Sequence, residues 1–458
     1  NENVLHAESV FAREMEQRGA TVRVARLPDG PKGEKVGLDD FLVAHGEQGK
    51  AELDKLIDAA EEPQNPLIQT QADPEFIEPA LAFVDGKVIV TRMMVQKRQH
   101  KRSKSTGRDS KDDFVEYDVW EPQIITSEKQ IIQPPGKITK NPNEIIPLGK
   151  NFYLKKPLED AESRWSIDSV RSFLKGQSQA PDVAILVNDI INTFKEWCYF
   201  PNEYTYTIIS LHVIGSYFFE LFPAYPYLNL NGPQGSGKTT AGRVAAALAF
   251  NGKLLIDPSQ ASLFRMIERE KPYLVIDEKE NIGSRKSAEA NPGLMALLKS
   301  GYQKGAKIPR QNTTHIEKTE FYGVYSPKLI CNVHGLEDIL QDRSISLITQ
   351  PAPKDSKIRG YQPDVEHPIW QNLRDRLYLT QMYYHEEIRK NRDANLGGEE
   401  LARLREKELF KPLVDMALWI DSINEDGTLT KQLLSALSLQ KDARSFARNL
   451  TPEAQLIN

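Results

Sequence analysis

Cysteine is nearly absent from this chain: two residues in 458, Cys198 and Cys331. They stand far apart and outside any metal-ligand spacing, which argues against a disulfide framework or a zinc site and fits a reducing cytoplasm. Long apolar runs are missing as well. The most apolar stretch, Tyr206 to Phe222, carries His212 and Glu220. It is too short and too polar to cross a bilayer, so it reads as a buried helix and no membrane partner is expected. Nor does one charge sign dominate, since 59 Lys and Arg against 64 Asp and Glu leave a net charge of −5. That balance excludes a protein that coats nucleic acid by bulk charge, while leaving room for local basic loops or a basic pore. No secretory or transit signal opens the chain, and a first residue of Asn rather than Met suits a stretch of a longer polypeptide. The length allows two to four domains and a sizeable core.

What is present centres on residues 228 to 240, Leu-Asn-Leu-Asn-Gly-Pro-Gln-Gly-Ser-Gly-Lys-Thr-Thr. The pattern G-x-x-x-x-G-K-[ST] runs from Gly232 through Pro233, Gln234, Gly235, Ser236 and Gly237 to Lys238 and Thr239, with Thr240 following. Glycines let the backbone turn tightly and aim several N–H groups at phosphate oxygens. A helix starting near Lys238 adds its positive end. Lys238 is placed to reach the β and γ phosphates of ATP, and the Thr239 hydroxyl to take one position on Mg²⁺. The flanks agree with this reading: a short strand over Tyr227 to Asn231 precedes the loop, and an Ala-rich helix over Thr239 to Ala249 follows it.

Downstream, Tyr273-Leu-Val-Ile-Asp277-Glu278 is an apolar strand ending in two acids, the form of a Walker B strand buried in a parallel sheet. Asp277 is the candidate to hold Mg²⁺ through water, and Glu278 the candidate to polarise the attacking water. The interval between Lys238 and Asp277 has room for a helix, a strand and a second helix. A further apolar strand, Lys328 to Asn332, ends in a polar residue. Between the two lies a helix closing at about Ser300, then a basic segment carrying Lys304, Lys307 and Arg310, with His315 and Lys318 beyond it. Phe321 to Tyr325 returns toward the next strand.

This order of motifs resembles AAA+ ATPases, and within them the superfamily 3 helicases and related replication proteins of mobile elements, over residues 185 to 350. The resemblance implies that Asn332 is sensor 1, helping to place the lytic water. It implies that Arg343, before a strand over Ile345 to Ile348, is an arginine finger reaching a neighbouring subunit's nucleotide; a structural ion pair with Asp342 or Asp338 is the alternative. It also implies a hairpin lining the channel of a ring, hexameric by family, with Lys304, Lys307 and Arg310 contacting one DNA strand. A solvated basic turn is the competing reading of that segment.

Elsewhere the chain is less specific. Residues 1 to 60, with the acidic turn Gly37-Leu-Asp-Asp-Phe-Leu42, resemble the end of a TOPRIM-like domain. Its metal carboxylates have no counterpart here, and Asp39 and Asp40 equally suit a helix cap. Residues 61 to 180 hold a Pro-rich linker and a β-rich accessory domain over Ala80 to Val95 and Phe114 to Ile132. These runs are joined by a basic loop, 97–111, that is either a DNA-backbone contact or solvated. Residues 181 to 350 form the core, and 351 to 458 a helical region in which Arg374 and Arg376 match no pattern. The expected fold is thus α/β: an AAA+ P-loop NTPase core, a β-rich accessory domain and a helical C-terminal region. The expected function is an ATP-dependent DNA helicase or replication initiator. The alternatives are a nucleotide-switched DNA-binding or loading ATPase without unwinding, and the helicase portion of a primase–helicase.

Overall fold

The computed structural model describes residues 8, 11–12, 15, 18, 20–30, 35–61, 75–101, 114–132, 145–147, 152–155, 163–255, 260–277, 292–311, 319–333, 336, 338–394, 404–425 and 427–449. The chain divides into two units, 1–76 with 147–153, and 77–146 with 154–458.

In the first unit, α1 (Leu38–His45) and α2 (Gly49–Asp58) are joined by a single 3₁₀ turn. Asp39 and Asp40 lie in the first turn of α1, where acids suit the helix dipole, although no side chain caps that end. Residues Ala20 to Leu27 alternate as a strand does, but they form one bridge, Val24 with Glu61. Alternation alone builds no ladder, and among the described residues only Glu61 bridges the backbone of this stretch. Val4, Leu5, Ala7, Phe11 and Met15 fall at helical spacing, and residues 4 to 18 lie largely outside the described residues.

The second unit begins with an antiparallel meander of β1 (Leu81–Val84), β2 (Lys87–Lys101), β3 (Phe114–Thr126) and β4 (Ile131–Ile132). Asp85 and Gly86 both have positive φ, 51° and 75°, as a two-residue hairpin turn requires. The pairing of β2 with β3 runs out to Lys101 opposite Phe114. Residues 97–101, expected in a loop, are therefore strand; residues 102–113 lie outside the described residues. Near the turn this sheet buries Val88, Val90 and Ile125, while farther out Val95 and Trp120 are half exposed.

The helices α3 (Ile167–Leu174), α4 (Val183–Trp197) and α5 (Glu203–Gly215) lead into the core. Ser166 and Asp182 cap α3 and α4 through their side chains, satisfying N–H groups that would otherwise lack partners. The core is a five-stranded parallel sheet. Its strands are β5 (Tyr227–Asn231), β6 (Lys253–Leu255), β7 (Leu274–Ile276), β10 (Lys328–Asn332) and β11 (Ser344–Ile348), in the spatial order β11-β5-β10-β7-β6.

Period-two alternation divides these strands between two cores. Leu228, Leu230, Val275, Leu329 and Cys331 join the cluster that contains α6 (Lys238–Leu248). Tyr227, Leu274, Ile276 and Ile330 join the cluster formed with α7 (Gln260–Glu270) and α8 (Pro292–Ser300). An antiparallel hairpin, β8 (Lys307–Gln311) with β9 (Thr319–Gly323), lies between α8 and β10 in sequence. The short α9 (Asp338–Gln341) precedes β11. Then α10 (Gln371–Ala394), α11 (Leu404–Asn424) and α12 (Thr428–Asn449) close the chain and share the first cluster.

Candidate nucleotide-binding site

The loop from Gly232 to Gly237 leaves the carboxyl end of β5 and enters α6 at Lys238. Its geometry follows from its glycines. Gly235 and Gly237 have φ of 77° and 81°, and Gly237 is the N-cap residue of α6, a left-handed conformation that side chains resist. Gly232 is needed for a different reason. A Cβ there would stand 2.3 Å from the Thr349 carbonyl oxygen and 2.4 Å from its hydroxyl. Thr349, just past β11, donates its N–H to the Asn231 carbonyl, and its hydroxyl lies 2.8 Å from that of Ser236. The loop is therefore braced from the neighbouring strand. Pro233, Gln234 and Gly235 are exposed, and Thr239 and Thr240 are half-buried in the first turn of α6.

Lys238 is buried, and its ammonium donates to the carbonyls of Gly232 and Pro233, both at 2.7 Å, and to Ser236 Oγ. Burial lowers its pKa, opposed by the charge of Asp277 nearby. Asp277 follows β7 and is buried. It hydrogen-bonds Cys331, whose thiol is pushed well up by burial and by this carboxylate. Asn332 ends β10, the strand between those that lead to Lys238 and Asp277. It is buried, and its carbonyl accepts the Gly232 N–H at 3.4 Å. Gly242 lets α6 lie close to the sheet, since a Cβ there would meet Val275 Cγ1 at 2.8 Å. Lys238, Asp277 and Asn332 are thus brought to one edge of the sheet. Glu278 lies outside the described residues.

Among the described residues no group of three or more His, Cys, Asp or Glu forms a metal centre. The hydroxyl of Thr239 and the carboxylate of Asp277 are hard oxygen donors at the loop end of the sheet. That donor set fits Mg²⁺, which takes one or two protein oxygens and completes its shell with water and phosphate.

One wall of the site was not read from the sequence. A cavity of roughly 260 Å³ opens beside Gly235, Ser236 and Gly237, and its lining includes Trp197, Tyr199, Ile358 and Tyr361. The stretch Gln350 to Pro363 is rich in Pro and charge, the composition of a connector, yet it is held against the end of α4. The Arg359 N–H donates to the Glu196 carbonyl at 2.8 Å, and its guanidinium pairs with the Glu196 carboxylate at 3.0 Å. That guanidinium also lies 5.0 Å from the Trp197 ring centre, and Tyr361 meets the same ring edge-on at 5.1 Å. An aromatic and aliphatic lining beside the glycine loop suits a nucleoside.

The other expected residues lie elsewhere. Arg343 precedes β11 at the amino end of the sheet, with its guanidinium 5.0 Å from the Tyr302 ring centre. Lys304 is half exposed at the root of the β8–β9 hairpin, donating to the Glu220 carbonyl at 2.6 Å and pairing with its carboxylate at 3.4 Å. Burial pushes Glu220 up, but Lys271 and Lys304 more than offset it and leave the carboxyl below its usual range. Lys307 is exposed on the hairpin, whereas Arg310 is half-buried with its guanidinium 4.5 Å from the Phe264 ring centre. His315 and Lys318 lie outside the described residues. Arg374 is buried in α10, donating to Gln371 at 3.0 Å, and Arg376 pairs with Asp189 at 2.6 Å.

The fold and site therefore describe a mixed α/β protein whose parallel sheet ends in a phosphate-loop geometry. No family model matches the chain, and no curated protein matches it. Solved structures do show similarity. The JCV helicase with a bound phenylacetamide compound is 15% identical, covering 52% of this chain and 68% of that one, with a TM-score of 0.27. The active helicase Cch of SCCmec type IV is 10% identical, with coverage of 70% and 57% and a TM-score of 0.30. The apo C-terminal region of NrS-1 is 10% identical, with coverage of 66% and 78% and a TM-score of 0.28. No helix among the described residues is long and apolar enough to cross a membrane.

Proposed function

We propose that this chain is an ATP-driven DNA motor, a helicase or replication initiator of a mobile genetic element, working as a ring of identical subunits that is hexameric by resemblance. The observation that carries this reading is the convergence of Lys238, Asp277 and Asn332 at the carboxyl edge of one parallel sheet, beside a braced glycine loop. Loop N–H groups and the α6 terminus bind the triphosphate. Lys238 turns from the loop carbonyls to the β and γ phosphates as nucleotide enters. Thr239 and Asp277 would hold Mg²⁺, which would supply positive charge against the developing phosphate charge. Asn332 orients the lytic water and Glu278 polarises it. The basic hairpin then grips a DNA strand through exposed Lys307 and half-exposed Lys304, while Arg310, stacked over Phe264, fixes the hairpin behind them.

Arg343 completes the site from a neighbouring subunit. The Arg343→Ala variant is expected to lose about three orders of magnitude in kcat, as for other arginine fingers, while holding nucleotide as tightly as the parent. Mixing it with Lys238→Ala subunits should restore part of the turnover, because some interfaces then join an intact loop to an intact finger. Silence of every mixture would defeat the shared site. ATPase activity stimulated by DNA without strand displacement on a forked duplex would defeat the helicase reading.

A further inference from the structure

The β8–β9 hairpin has two unlike faces. In register, Ile308 and Arg310 lie opposite Tyr322 and Glu320, and this face turns inward. Arg310 stacks over Phe264, and the Tyr322 hydroxyl lies 3.5 Å from Arg265 Nε. The other face presents Lys307, Pro309 and Gln311 opposite Gly323, Phe321 and Thr319. Its centre is apolar: Pro309 beside Phe321, whose exposure of 59% is large for a phenylalanine in a paired strand. Lys307, also exposed, lies one step along the same face.

We propose that this outer face is a base-stacking platform for single-stranded nucleic acid, with Phe321 as the stacking surface and Lys307 as the adjacent phosphate contact. The assignment rests on the motor reading above and adds to it an aromatic contact that the basic residues alone did not suggest. The chemistry is specific to single strands, because only an unpaired base can offer its face to a protruding ring. A cation on the paired strand, two residues from the position opposite the ring, answers a phosphate beside a stacked base. The dimensions oppose a second copy of this chain as occupant. Five residues of two paired strands span about 17 Å by 10 Å, roughly 170 Å², where a stable protein interface needs about 800 Å² per partner.

The test uses the full chain with a non-hydrolysable ATP analogue. It measures fluorescence anisotropy with labelled oligothymidylate and with the same oligomer carrying abasic sites. Phe321→Ala should weaken thymidylate binding about tenfold, the equivalent of one stacked base, and Phe321→Trp should retain it. The parent should lose a similar factor on the abasic strand, and Phe321→Ala should not distinguish the two strands. Lys307→Ala should lower the magnitude of the salt slope by about 0.7 and leave the abasic discrimination intact. Full-strength binding by Phe321→Ala overturns the platform, as does a parent indifferent to missing bases. A change in sedimentation without a change in affinity also overturns it and makes the face a contact between copies. A parent that hydrolyses ATP yet binds no strand overturns the motor reading as well, whereas a parent that binds while Phe321 proves irrelevant overturns the platform alone.

Discussion

Acidification should destabilise this fold through one histidine. His212 lies in α5, fully buried. Its Nε2 stands 2.8 Å from the Pro226 carbonyl, which can only accept, so that nitrogen carries the proton; Nδ1, 2.9 Å from the Tyr273 hydroxyl, accepts. One neutral ring thereby joins the residue before β5 to the residue before β7, the strands that lead to the phosphate loop and to Asp277. Burial drives its pKa down from 6.5 to about 4, against a smaller upward pull from the Pro226 hydrogen bond. The unfolded chain takes up a proton near pH 6.5 that the folded chain refuses until about pH 4. Stability is therefore fully present above the unfolded value and is lost as the pH falls toward the folded one. A gap of about 2.5 units at 1.36 kcal/mol per unit comes to roughly 3 kcal/mol, a large part of the 5–15 kcal/mol typical of a domain.

The comparison that isolates this group is His212→Gln, which keeps one donor and one acceptor but has no proton to gain. Urea unfolding of both proteins from pH 8 to pH 4.5 cancels the shared contribution of the carboxylates. The parent should lose about 2.5 kcal/mol more than the variant across that range. Parallel pH profiles would refute the reasoning, for they would mean that the ring is either hydrated or already charged in the folded state.

Two further outcomes concern the nucleotide site. Gly232→Ala should lower affinity for a fluorescent ATP analogue at least a hundredfold, because its Cβ meets the Thr349 backbone carbonyl at 2.3 Å and the loop must move; affinity within a few-fold of the parent would show the loop to be pliable. Tyr361→Ala should weaken ATP binding about tenfold, in keeping with the loss of one aromatic wall, while inorganic triphosphate binds as before. Equal losses for both ligands would place Tyr361 away from the nucleoside.

Much of the core was legible because it is written locally. Tyr227–Asn231 and Lys328–Asn332 are strands with the expected bounds, since an apolar run closed by glycine or by a polar residue permits little else. The interval before Asp277 holds α6, β6 and α7, as its length suggested. The basic run was misread where it enters β2. Charge there suggested a loop, yet on an exposed ribbon charge does not oppose pairing. Lys97 faces Asp118, and Gln99 donates to Glu116 at 2.8 Å, so the Val, Tyr and Trp residues of the partner strand extend the ladder through the basic residues.

The features that escaped sequence reading are those created when distant segments meet. Nothing in Gln350 to Pro363 announces a wall, because Arg359 and Tyr361 gain their meaning only from Glu196 and Trp197. The position of Arg343 shows what one added fact would have supplied. It precedes β11, and β11 runs parallel to β5, with Ser344 opposite Tyr227 and Ile348 opposite Asn231. A residue that precedes a parallel strand must lie at the opposite end of the sheet from a loop that follows its neighbour. Five residues of strand separate the two ends, about 17 Å, well beyond the reach of a guanidinium whose face already rests on Tyr302. Arg343 is therefore out of reach of the glycine loop of its own chain, and the proposed finger must act between copies; an Arg343→Ala defect that persists unchanged in every mixed assembly would leave it with a structural role alone.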